Sequence, residues 1–480
     1  MKGDFSRATF DVTKHFSRVL MQQGRVQVDA DWNEQTAILL HYLQSLAKDL
    51  IGDHGGPSDI EDKVKNIVLK KNLGFEIIVD PKRIEQFSEL SGSQITELKS
   101  LLSQSKPPIL IGKGHYYVEG ILCEVDNYLS FAKQPDYPWE KDKDLEKGNY
   151  LVYVDVWERH LTYIEDDYIR EVALGDADTA TRARIVWQVK TEHRLQDDTD
   201  IPDKIDGSWR DWVNQRWSAW TNKWQPTNRG MLKAQAKQDQ KKDTDPCITS
   251  PEASYRGLEN QLYRVEIHNG GIAWDGKTST KDNAASFKWS RDNGSTVTGI
   301  KLDGTEMTVN NPRGLLVGQW LELTNDGQEL RGEPGTLAKI KKIESDLVFL
   351  DIANSPMPRA VLPDGETWPT KARLWERNEV PIIENDNDID WIKLEDGVQI
   401  QFQPSVPENQ YRTGDYWLIP ARVATGDVEW PGDVGKPEAL TPHGIDHHYA
   451  PLTIINLKDG GTKLLQDLRW HIEPLGKPMP

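Results

Sequence analysis

Trp320-Leu321-Glu322-Leu323, Thr336-Leu337-Ala338-Lys339-Ile340-Lys341-Lys342-Ile343 and Leu347-Val348-Phe349-Leu350 follow one another within residues 314–351. Each run is short, apolar and bounded by Gly or Asp, which predicts antiparallel strands folding into a compact barrel-like module. The same punctuation extends from Tyr255 onward. Leu262 to Ile267, Ser286 to Ser290, Thr296 to Leu302, Val398 to Phe402 and Tyr416 to Pro420 are further strand-like runs. Upstream, Asn149 to Glu158 and Arg182 to Lys190 read as strands. Pro108 to Ile111 and His115 to Val118 flank Gly112-Lys113-Gly114, which predicts a hairpin. The expected fold class is mainly β, with several small barrels or sandwiches, an N-terminal α-helix and a few further helices.

Helical spacing is confined to a few places. From about Ala30 to Ile51 the chain predicts a helix, stopped at Gly52. Trp32, Thr36, Leu39, Leu43, Leu46 and Leu50 recur at steps of 4, 3, 4, 3 and 4, an a/d heptad seam. Two readings stay open: a helix packed on its own domain, and one that meets its copies around a symmetry axis. Asp31 and Glu34 have the spacing of a capping box. Gly24 to Asp29 alternates like a short strand. Ile84 to Leu102 predicts a second helix broken near Ser91-Gly92-Ser93, inside an apparent insertion from Ile60 to Ser105. Asp206 to Trp224 predicts a Trp-rich helix, and Gly230 to Pro251 a linker.

These signals divide the chain into an N-terminal attachment segment and helix (1–56), a small α+β module with the insertion (57–140), and a β domain with the Trp-rich helix and linker (141–310). A small barrel-like module (311–360) and a C-terminal β region (361–480) follow.

The 480 residues carry 58 Lys and Arg against 76 Asp and Glu, a net charge of −18 that repels phosphate backbones and argues against a nucleic-acid partner. The one basic run, Lys237 to Lys242, reads as a solvated loop. Two cysteines, Cys123 and Cys247, form neither a disulfide framework nor a zinc motif and suit a reducing compartment. A charged, polar start and the lack of a long apolar window lead to the expectation of synthesis in the cytoplasm without a signal peptide and without membrane insertion.

Met1 to Arg7 with Val19 to Glu34, Thr179 to Arg182, Phe287 to Ser295 and Gly414 to Arg422 are further distinctive strings. Together they resemble a poorly characterised bacterial family encoded in gene clusters for phage-tail-like contractile injection systems. The likeness spans nearly the whole chain apart from the Ile60 to Ser105 segment. A weaker likeness, through Gly24-Arg25, Asp31, Asn33-Glu34 and Lys113 to Gly120, is to the first segments of tail-fibre and baseplate proteins, where such a segment attaches and trimerises. The likeness implies a place at the baseplate end or an appendage of a cytoplasmic, membrane-anchored or released particle. It also implies other injection-system proteins as partners and a homo-oligomer, with a trimer favoured. It supplies no catalytic residues.

Residue chemistry adds few sites. His443 and His447, in Pro442 to Tyr449, and Asp386, Asp388 and Asp390, in Glu384 to Asp390, are the weak metal candidates, for zinc or iron and for calcium respectively. Neither group completes a ligand motif, so structural hydrogen bonding is the expected role and no cofactor is expected. Gly271 to Thr278 matches the phosphate-loop pattern letter for letter, yet no helix is readable after it. Strand tryptophans are expected in cores or interfaces. The expected function is assembly rather than catalysis, with Trp32, Leu39, Leu43, Leu46 and Leu50 as the assembly residues. The alternatives are a particle-borne glycan- or receptor-binding module and a glycan hydrolase.

Overall fold

The structure, a computed structural model, describes residues 1–57, 74–87, 90–137, 145–175, 178–237, 254–277, 284–303, 306–351, 370–387, 390–433, 435–458 and 461–472. It is a β-rich, multi-part fold with few helices.

Six strands close into a barrel, in the order Val297–Asp303, Glu306–Val309, Leu347–Asp351, Thr336–Glu344, Trp320–Thr324 and Lys371–Trp375. Met307 and Val309 point inward while Glu306 and Thr308 face out, the two-residue period of a half-buried strand. Ile300, Leu321, Leu323, Ala338, Ile340, Val348 and Leu350 complete the core. The barrel-like module expected at 311–360 is therefore too narrow. Closure removes unpaired strand edges, and here it needs a hairpin from before residue 311 and a strand from after residue 360.

Beside the barrel lies a sandwich. One sheet runs Val380–Pro381, Ser286–Ser290, Gln261–Ile267, Tyr416–Arg422, Asp427–Val428, and the other Ile392–Lys393, Val398–Gln403, Met231–Ala236. They share a core of Leu232, Tyr263, Val265, Phe287, Ile400, Phe402, Trp417 and Ile419. Met231–Ala236 corrects the expected linker from Gly230. It pairs with Val398–Gln403 over six residues because Leu232 and Ala234 alternate inward, a pattern too short to read locally. The basic run is described only at Lys237.

A third sheet runs Gly461–Asp467, His448–Lys458, Gly148–Leu161, Arg182–Glu192. Its central strand is buried on both faces. Tyr150, Val152, Val154 and Val156 enter one core, whereas Leu151 and Tyr153 enter another with Val213 and Trp220 of the Trp-rich helix, Trp209–Trp224. That helix starts after Ser208, whose hydroxyl accepts from the Arg210 amide. Because His448–Lys458 pairs with Gly148–Leu161, residues 361–480 are not a separate region.

One turn differs from expectation. Gly114–Val118 pairs with Ile121–Val125 through Glu119-Gly120, while Leu110–Ile111 pairs instead with Ile77–Ile78 and Leu129–Ser130. Both turn residues have positive φ, 48° and 84°, the geometry that matches strand twist in a tight hairpin. The expected strand at Gly24 to Asp29 is absent, and Val26 there is exposed. The second helix is in two pieces, Pro81–Ile84 and Gly92–Gln104, the latter started by a Ser91–Gln94 capping box. The Ile60 to Leu73 part of the insertion lies outside the described residues.

Candidate functional site

The helix α1, Asp29–Ile51, is one residue longer than expected. Its capping box does not form, since Val28 is the N-cap and offers no side-chain acceptor. The acids are used otherwise. Asp29 Oδ2 accepts the Ser6 amide at 2.9 Å, and Glu34 Oε2 accepts the Thr9 hydroxyl at 2.5 Å. These bonds hold residues 5–28, an extended arm, along the flank of α1. Phe10 reaches His41 at a ring separation of 5.9 Å, and the Val19 amide donates to Gln35 Oε1 at 2.8 Å.

The opposite faces of α1 are inverted relative to an ordinary surface helix. Toward its own chain it turns Ala30 and Ile38, exposed by 2% and 1%. The expected seam faces outward: Trp32 is 77% exposed, Leu39 54%, Leu43 64%, Leu46 56% and Leu50 69%. Leu40 and Tyr42 widen the stripe, and Val12, Phe16, Leu20 and Met21 of the arm are exposed as well. Fully burying one such side chain contributes about 1.5–3 kcal/mol. The stripe is therefore unspent driving force of the size that marks a protein contact.

Beyond Ala30 and Ile38, what fixes α1 is polar. Lys48 Nζ lies 3.0 Å from Glu119 Oε2, which also faces His448 Nδ1 at 3.6 Å. These two bases, His448 first, hold the Glu119 carboxyl down to about 2. Gly120 lets the hairpin touch the helix, because a Cβ there would run into the Gln44 carbonyl.

The first residues enter the body. Gly3 donates to the Asn293 carbonyl at 3.3 Å, the Asn293 amide donates to the Gly3 carbonyl at 3.0 Å, and Arg264 Nη1 donates to the Met1 carbonyl at 3.1 Å. Lys2 pairs with buried Glu266 at 2.9 Å. Glu266 also meets Arg264 at 2.6 Å and Lys288 at 3.4 Å. Lys288 pairs in turn with Glu322 of the barrel, which accepts from Trp375 Nε1 at 2.9 Å. Burial opposes these charges, yet Lys288 and Lys2 hold Glu322 down to about 2. Three of the strings that carried the resemblance, at Met1 to Arg7, Phe287 to Ser295 and Gly414 to Arg422, thus converge. A cavity of about 410 Å³ lies between α1, these first residues and the sheets, lined by Leu40, Gln44, Trp157, His160, Arg264 and Tyr416 among others.

The metal candidates do not converge. His447 Nδ1 faces Asp155 Oδ1 at 2.7 Å, and Asp155 Oδ2 accepts from Lys190 at 2.7 Å. His443 instead packs on the Tyr416 ring at 5.6 Å. Asp386 is exposed, and Asp388 lies outside the described residues. Asp390 Oδ2 accepts the Asn385 and Asn387 side-chain amides at 3.0 and 2.8 Å, which spend its lone pairs on closing the loop. Among the described residues, the one group of three with metal-ligand spacing is Glu165, Asp326 and Glu329, which sequence spacing could not reveal. Two cations already sit there. Lys371 Nζ lies 2.6 Å from Glu165 and Glu329 and 3.2 Å from Asp326, while Arg159 meets Asp326 and Glu329 at 2.8 and 3.2 Å.

At Gly271 to Thr278, Gly271 bridges Tyr411 and the Lys277 amide donates to Asp275, so residues 271–277 form turns without a helix; Thr278 is outside the described residues. Trp157, Trp289, Trp375 and Trp417 are buried, and Trp470 is exposed. Among the described residues no helix is long and apolar enough to cross a membrane.

One family model, for a family of unknown function (DUF6519), matches residues 1–58, 96–224 and 226–463. The unmatched 59–95 falls within the Ile60 to Ser105 segment, apart from Asp59. No curated protein and no solved structure matches the chain.

Proposed function

The chain belongs to the DUF6519 family of unknown function, and we propose that it is a structural assembly subunit, built to meet copies of itself through α1. The observation that carries this reading is the inverted helix, with Leu39, Leu43, Leu46 and Leu50 outward and Ile38 inward. An a/d repeat is self-complementary, so a parallel copy of the same helix satisfies it. Leu40 and Tyr42 beside the seam favour more than one neighbour, because in a trimer each helix is flanked on both sides. The placement in a phage-tail-like contractile injection particle, at its baseplate end or an appendage, rests on the strings that resemble that family. No catalytic step is assigned.

Point substitutions test this better than removal of residues 1–52, since Lys2 is part of the buried charge network. Sedimentation equilibrium of the whole chain is expected to give a concentration-dependent species of three times 54.7 kDa. A monomer at every concentration, together with a particle map in which α1 faces solvent, overturns the proposal.

A further inference from the structure

We infer that the arm of one protomer docks onto the loop at residues 163–175 of the neighbouring copy, and that this contact closes the ring formed around α1. The inference rests on the self-association proposed above and names a second contact of it.

The arm is chemically unlike the rest of the chain. Residues 5–28 hold Arg7, Lys14, Arg18 and Arg25 against Asp11 alone, a net +3 within a chain of −18. Lys14, Arg18 and Arg25 make no ion pair among the described residues. Between these charges stand Phe16, Leu20 and Met21, with Leu20 71% exposed. This basic, apolar segment suits an acidic, apolar surface.

Such a surface lies on the same chain. Residues 163–175 hold four acids, Glu165, Asp166, Asp167 and Glu171, against Arg170 alone. Glu165 is taken by Lys371 and Asp167 by Arg170. Among the described residues, Asp166 and Glu171 accept only from backbone amides, of Tyr168 and Ala173, and so keep their full charge for an incoming cation. Tyr168 is 94% exposed, and Val172 and Leu174 stand out beside it. Two short 3-10 turns, Asp167–Ile169 and Val172–Leu174, display these side chains.

The exposure of both surfaces shows that they do not meet within one chain. The arm is tied to α1 by Asp29, Glu34 and Gln35, whereas the loop is tied to the barrel through Glu165 and Lys371. Arm onto loop is a head-to-tail contact, and such a contact is satisfied for every copy only when rotation closes a ring. Parallel α1 helices around an axis supply that rotation.

The test uses whole chain carrying Cys247→Ser, with buried Cys123 kept, and the pair Leu20→Cys and Val172→Cys. After oxidation, non-reducing electrophoresis is expected to show dimer and trimer bands, and sedimentation a trimer. A trimer without cross-links, or with a cross-link confined to the monomer band, overturns the arm contact and leaves the helix proposal standing. A monomer in sedimentation overturns both. As a second arm, Arg18→Glu with Arg25→Glu should weaken self-association about tenfold at low salt. Adding Asp166→Arg and Glu171→Arg should restore it, and failure of this restoration, with all variants folded, counts against the contact.

Discussion

Leu43→Asp separates self-association from folding. In the single chain Leu43 is 64% exposed, so the change removes little packing. Its folding cost is set by helix propensity and surface exchange, about 0.5 kcal/mol. In a parallel bundle, by contrast, each Leu43 sits in the seam. Losing its burial costs about 1–2 kcal/mol per protomer. An unpaired carboxylate in the same place adds about 2 kcal/mol or more, because the group is desolvated or must be protonated. Over three protomers the sum is about 9–12 kcal/mol, more than six decades in the trimer constant at about 1.4 kcal/mol per decade. Sedimentation velocity across a hundredfold concentration range should therefore show monomer throughout, with thermal melting within a few degrees of the unaltered chain. Lowering the pH toward 4 should partly restore the trimer by neutralising the new acid. Undiminished association of Leu43→Asp would refute the reasoning, and so would loss of the folded monomer, since it would place Leu43 in a core.

Acid should destabilise the fold between about pH 4.5 and 2, because Glu322, Glu329 and Glu119 each have folded values depressed to about 2 by neighbouring bases. A depressed carboxyl contributes stability above its unfolded value of about 4.3 and loses it as pH falls through the folded one. Melting curves at pH 7, 4 and 3 check this, and Glu322→Gln should flatten the profile. Gly120→Ala should cost about 1–3 kcal/mol in denaturant titration, since it adds a Cβ at positive φ against the Gln44 carbonyl. Lys371→Met leaves Asp326 and Glu329 with Arg159 and removes the cation that pairs with Glu165, and should cost about 3–5 kcal/mol. That variant, unlike the unaltered chain, should gain melting temperature on adding calcium. Turnover should be absent across a panel of glycans and peptidoglycan, and turnover abolished by changing one carboxylate would show a hydrolase.

The sequence displays what is local. The seam at Trp32 to Leu50 is visible because 3.5-residue periodicity depends only on near neighbours. Its outward orientation is not, since a stripe looks the same whichever side it faces. Barrel strands such as Trp320–Thr324 are readable, but closure by Lys371–Trp375 is a non-local fact. Met231–Ala236 carries only two inward residues, so its partner rather than its composition makes it a strand. Gly112-Lys113-Gly114 looked like the tighter turn, while the real one uses Glu119 in a conformation non-glycine residues seldom adopt. The triad at Glu165, Asp326 and Glu329 joins two distant stretches and has no spacing to read. His443 and His447, close in sequence, point to different sheets.

The pairing of Gly148–Leu161 with His448–Lys458 also bears on how the protein is made. Asp155 and His447, neighbours across that pairing, are 292 residues apart in sequence. At about 5–20 residues per second, the ribosome needs about 15–60 s to supply the second strand after the first. During that interval a strand apolar on both faces keeps one edge unpaired. Such an edge recruits other nascent chains, so a holding chaperone, or ribosomes spaced widely along the message, should raise the yield of native subunit.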